Sequence, residues 1–266
     1  MVSAGELLFI STDPRSTTGE PLSSGQVLAQ FGSPAPFRQA SLNGISVFNA
    51  TGANTSGGAD VQAGLLTFNG AGGFTLSGDE NDAGTISTNS ASGTYSVDGL
   101  GRVPTITTGT GVTPVLYLVT ENKAFMVFND TFVTTGFFEP QAAGLFTNAS
   151  ISLGNVILGT ATPATTNVTD SSGVFFSNGS GSCSATTDEA TPTGLSPDNA
   201  FFCSFSVQAS PNNGLGTMTL TDVNLGSSSL FVFYIVSPFS PFSLSKAVLI
   251  DVTAGTTNPA VSVVTP

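Results

Sequence analysis

Residues 68–80 read FNGAGGFTLSGDE, and 109 positions further on residues 177–189 read SNGSGSCSATTDE. Self-similarity at a fixed distance marks a repeated structural unit. Three further blocks recur in the same order. QASLNGISVF (39–48) is answered by NASISLGNVI (148–157), and YSVDGLGRVPTIT (95–107) by FSVQASPNNGLGTMTLT (205–221). YLVTENKAFMVFND (117–130) is answered by YIVSPFSPFSLSKAVLIDV (234–252), with an insertion in the second copy. Two units follow, unit 1 over 37–141 and unit 2 over 146–266.

Within each unit, short runs rich in Val, Phe, Ile and Thr alternate with Gly, Asn and Asp, and helical periodicity is nearly absent. The chain is therefore all-β: two tandem antiparallel meander units plus an N-terminal β-hairpin. In unit 1 eight strands are expected over 40–48, 61–69, 73–79, 91–97, 102–108, 114–120, 123–129 and 135–141. A small β-barrel or a β-sandwich would protect the sheet edges, with the barrel preferred. Asn69-Gly70, Asn178-Gly179, Asn213-Gly214 and Asp98-Gly99 read as type I′ hairpin turns.

The N-terminal stretch fits the same scheme. MVSAGELLFISTD (1–13) aligns with LVTENKAFMVFND (118–130), and GQVLAQ (25–30) with GFFEPQ (136–141). Residues 1–30 thus read as a hairpin equivalent to the last two strands of a further unit. These blocks, above all the VT-x-NKAFMVFND strand followed by a turn and G-x-x-x-x-Q, resemble tandem β-repeat modules of large secreted bacterial surface proteins of undetermined activity. The resemblance implies a secreted or cell-surface location and an array architecture, and supplies no catalytic residues.

Composition narrows the function. Only 8% of residues are charged, against roughly 25% in an average protein, and the net charge is -12. The five basic residues, Arg15, Arg38, Arg102, Lys123 and Lys246, are scattered singly, so the clustered cations that nucleic-acid phosphates require are missing. No apolar run approaches the roughly 20 residues of a transmembrane helix, and residues 1–10 carry no secretory signal. Cys183 and Cys203 form an even pair with no His to complete a metal site; a disulfide is the first expectation, two free buried thiols the alternative.

With no His, a Ser-His-Asp or Cys-His mechanism is excluded. Asp79-Glu80 and Asp188-Glu189 occupy one repeat position and read as solvated hairpin caps rather than a glycosidase pair. DENDAG (79–84) departs from the calcium-loop pattern at Ala83 and Ser90. No enzyme, cofactor or metal is expected. Asn49, Asn54, Asn129, Asn148, Asn167 and Asn178 begin Asn-x-Ser/Thr sequons, sites for sugar where the source glycosylates.

A meander with one wet face should alternate apolar and polar residues. VLYLV (115–119), AFMVF (124–128), LFVFYIV (230–236) and AVLI (247–250) are apolar at successive positions instead. Their outer faces must meet another unit, another subunit or further repeats. The expectation is an extracellular structural or adhesive protein that assembles with itself into an array or filament, the N-terminal strand residues Glu6, Leu7, Leu8, Phe9 and Ile10 being candidates for donation to a neighbour. A barrel-type carrier of a small apolar ligand is the alternative.

Overall fold

The computed structural model describes residues 6–10, 24–30, 36–104, 106–108, 114–128, 133–161, 170–191, 193–238 and 246–265. Apart from two 3-10 turns, Gln39–Ser41 and Asn148–Ser150, the regular structure among these residues is strand. The sequons at Asn129 and Asn167, and the ends of the 1–13 block, lie outside the described residues.

Alternation of inward and outward side chains builds both units. Unit 1 comprises β3 (Asn43–Ala53), β4 (Ala59–Asn69), β5 (Gly73–Asp82), β6 (Thr85–Tyr95), β7 (Arg102–Val103), β8 (Ile106–Thr108), β9 (Val115–Thr120), β10 (Lys123–Val127) and β11 (Val133–Pro140). Its pairings are all antiparallel, and β11 returns to β3. The expected fifth strand is split at Pro104, which lacks the N–H a ladder needs. Its first half, β7, pairs with β9, and its second half, β8, pairs with β6. The split strand thereby carries the curled sheet close to closure.

Unit 2 closes fully. β12 (Ser152–Ala161), β13 (Asp170–Asn178), β14 (Ser182–Thr191), β15 (Gly194–Val207), β16 (Leu215–Asp222), β17 (Ser228–Ser237), β18 (Lys246–Asp251) and β19 (Ala260–Thr265) form an eight-stranded barrel sealed by the β12–β19 pairing. The preference for a barrel over a sandwich therefore holds. Phe48, Phe68, Phe74 and Phe138 fill the first interior, and Phe175, Phe205 and Phe233 the second.

The N-terminal hairpin pairs β1 (Glu6–Ile10) with β2 (Ser24–Leu28). Its register repeats that of β10–β11 residue for residue: Leu7 faces Val27 as Ala124 faces Phe138. The environment differs sharply. Ala124 and Phe138 are 0% exposed inside unit 1, whereas Leu7 is 60% and Val27 50% exposed. The hairpin has the pairing of the last two strands of a barrel without the enclosure that such a pair receives in unit 1.

The turns depart from expectation in one respect. Type I′ geometry needs positive φ at both central residues, yet Asn69, Asn178, Asn213 and Asp98 are not among the residues with positive φ. Their side chains cap the turn instead. Asn69 Oδ1 accepts from the Ala71 and Gly73 amides, and Asn178 Oδ1 from those of Ser180 and Ser182. Such local side-chain bonds are what Asn and Asp offer a turn, and Gly takes the left-handed positions that follow.

Cys183 and Cys203 stand directly opposite each other on β14 and β15, with Cα atoms 4.8 Å apart, and form the expected disulfide. Unit 1 has Phe74 opposite Gly93 at the corresponding place. Reduction is expected to destabilise unit 2 by roughly 3 kcal/mol, the entropy of a loop of this size. Denatured, unreduced protein should take up no thiol reagent, and labelling of two thiols would contradict the bridge.

Candidate assembly interface

The two units meet through the outer faces of their strands. On β4, Leu66 and Phe68 point into the barrel while Val61, Ala63 and Leu65 point out; on β3, Val47 joins the outward set. On the other side, Phe233, Ile235, Ala247 and Leu249 fill unit 2, and the alternate residues Tyr234, Val236, Val248 and Ile250 face unit 1. With Val252 and Val261 these side chains form one buried cluster between the units. Fully burying an aliphatic side chain of this kind is worth about 1.5–3 kcal/mol, so the cluster is a substantial second core. It answers the apolar runs at 230–236 and 247–250: their outer faces meet the neighbouring unit.

Polar contacts fix the register of this interface. Tyr234 donates its hydroxyl to Asp79 Oδ2 at 2.5 Å, and burial, then the Asp79 bond and charge, push the phenol upward. Asn81 Nδ2 donates to the Asp251 carbonyl at 2.8 Å, and burial raises the Asp251 carboxyl above its ordinary value. At the rim Lys246 pairs with Glu139 at 2.5 Å. Asp79 and Glu80 are therefore not solvated caps. They lie within β5, half-buried, on opposite faces, with Asp79 in the interface and Glu80 accepting from Gln62, Ser87 and Asn89. In the second copy Asp188 accepts the Asp198 amide.

A glutamine clamps each junction. Gln141, just past β11, donates Nε2 to the carbonyls of Asn213 at 2.9 Å and Ile235 at 2.7 Å. Gln30, just past β2, does the same to Leu100 at 2.8 Å and Leu118 at 2.7 Å. Beneath each clamp a glycine adopts positive φ, +80° at Gly214 and +81° at Gly101, and a Cβ at either would come within 2.8 Å of the glutamine nitrogen. The hairpin is thus seated on unit 1 as β11 is seated on unit 2. Replacing Gln141 with alanine leaves two carbonyls without this donor and is expected to cost about 1–3 kcal/mol, read by denaturant unfolding; Gln30→Ala should cost less, because less structure hangs on that junction.

Among the described residues, the equivalent outward positions of unit 1 are less covered, two of them exposed and two half-buried. Tyr117 pairs with Phe125 and Val115 with Val127, as Tyr234 pairs with Val248 and Val232 with Ile250. Tyr234 is 3% exposed and Tyr117 47%. Val127 is exposed too, while Phe125 packs against Phe137, over which Lys123 places its ammonium at 5.2 Å. On unit 2, Val174 and Phe176 on β13 and Phe202 on β15 are exposed, Phe176 and Phe202 lying in one row on either side of Ser184.

Of the assembly candidates at the N-terminus, Glu6 accepts from Gln26 and Leu7 is exposed beside Val27; Leu8, Phe9 and Ile10 are placed by backbone pairing with β2. Sequence reasoning missed Asp79, Asn81, Gln30 and Gln141 as interface residues. The signal was present for the glutamines, since each closes the same motif. No protein-family model matches the chain, and neither does any curated protein.

Proposed function

We propose that this chain is an extracellular structural or adhesive protein whose β units stack through apolar outer strand faces into an array or filament. The observation that carries this reading is the mismatch between two equivalent faces. The β17–β18 face is buried against unit 1, and the β9–β10 face, with equivalent strands, register and tyrosine, is exposed at Tyr117 and Val127. Monomers seldom leave a contiguous apolar patch uncovered. The cross-strand disulfide fits an oxidising location.

Stacking by faces is better supported than donation of the hairpin strands, because unit 2 seals its own ladder with β19 and unit 1 nearly does so with its split strand. The carrier alternative is weakened by the phenylalanines that fill both interiors. Electron microscopy of concentrated native protein tests the reading. Regular strings or sheets of units support it, and dispersed single particles at every concentration contradict it.

A further inference from the structure

The array reading leaves open which surfaces meet, and the internal interface names them. We infer that the exposed β9–β10 face of one copy is covered by the β13–β15 face of unit 2 of a second copy, in a contact related to the one by which unit 1 covers the β17–β18 face within the chain. This inference rests on the proposed assembly and specifies its contact.

Both halves of the internal contact have a free counterpart. Val115, Tyr117, Phe125 and Val127 repeat Val232, Tyr234, Val248 and Ile250, pair for pair. The receiving half repeats in part: Val174 faces Thr186 on the next strand as Leu65 faces Ser77, and two residues on, Asp188 stands where unit 1 has Asp79. An acceptor for the Tyr117 hydroxyl is therefore in place. The receiving face is remodelled rather than copied. Ser172 and Asp170 replace Ala63 and Val61, while Phe176 replaces Thr67 and lies in the same row as Phe202, moving the apolar centre along the strands.

The two faces differ from each other and lie on different units, so the contact is heterologous. Contacts of this type propagate into open chains of subunits unless a rotation closes them. The same operation carries the hairpin of one copy onto β18–β19 of its neighbour. β18 is locked into the interface of its own chain through Val248 and Ile250, so the hairpin, held to unit 1 by the two Gln30 bonds, is the part that moves aside.

Two full-length variants test this. Val127→Asp charges the first face and Phe176→Asp the second; both positions are exposed, and thermal melting confirms that each variant folds. In sedimentation velocity the wild-type chain forms a concentration-dependent series, each variant alone stays monomeric, and an equimolar mixture stops at dimers, because one intact face remains on each partner. A series formed by either variant alone overturns the assignment of faces while leaving the array reading standing. A wild-type chain that stays monomeric overturns both.

Discussion

Ile250→Asp is expected to part the two units. Ile250 is fully buried in the cluster between them, and an aspartate there is a charge with no cation among the residues of that cluster. Burying an uncompensated polar or charged group, together with the lost packing, places the change among the most destabilising single substitutions, on the order of 4 kcal/mol. The interiors of both barrels are untouched. The expected result is a single unfolding transition in the wild type that divides into two in the variant, with proteolysis newly directed at the connection over 142–145. Ile250→Val, which keeps the surface apolar, should cost about 1 kcal/mol and leave one transition. Equal transitions in Ile250→Asp and Ile250→Val would mean that the cluster does not couple the units.

The second large effect depends on pH. Asp60 is fully buried near the start of β4, directly opposite Asp82 on β5. Burial first, then the charges of Glu80 and Asp82, hold its carboxyl at about 7 instead of 3.8, against the lowering effect of the Gln62 hydrogen bond. The fold therefore favours the neutral acid. Below pH 3.8 Asp60 is neutral folded or unfolded, and its burial adds no ionisation cost. As pH rises from 3.8 to 7 the unfolded chain loses this proton while the folded chain keeps it, so stability falls; above 7 the whole cost, roughly 4 kcal/mol, is present. Asp251, raised by burial in the same direction, adds to the slope. Denaturant unfolding should show a more stable protein at pH 5 than at pH 8. Asp60→Asn removes this ionisation and should regain stability at pH 8 while changing little at pH 4. Parallel pH profiles for the two proteins would contradict this account of the buried cluster.

The architecture was legible because the repeat is written in residues whose conformational roles are strong. Paired Asn-Gly steps and Phe at inward positions identify strands and turns by themselves, whereas Pro104 was read through inside a single strand over 102–108 that the fold divides into β7 and β8. Strand extents were less legible. β6, TISTNSASGT followed by Tyr95, is almost without apolar residues and exposed along most of its length; it is a strand because β5 pairs with it over ten residues, which a local pattern does not display. The turns were placed correctly for a partly mistaken reason, since the asparagines cap with their side chains and leave positive φ to glycine.

The interface was half legible. Doubly apolar strands announced that outer faces would be covered, and at residues 230–236 and 247–250 they are. Nothing in the local sequence marks Asp79 as the partner of Tyr234, 155 residues away, because the contact exists only once both barrels are formed. The pair Asp79-Glu80 was read as solvent-facing by composition. Strand alternation divides it, sending one carboxylate to the neighbouring unit and the other toward its own interior.

The most direct test of stacking through outer strand faces is sedimentation velocity of the oxidised, full-length chain over a range of micromolar concentrations. The expected result is a series of species that lengthens with concentration and is lost on charging Val127. A single monomeric boundary, unchanged across the range, would contradict it.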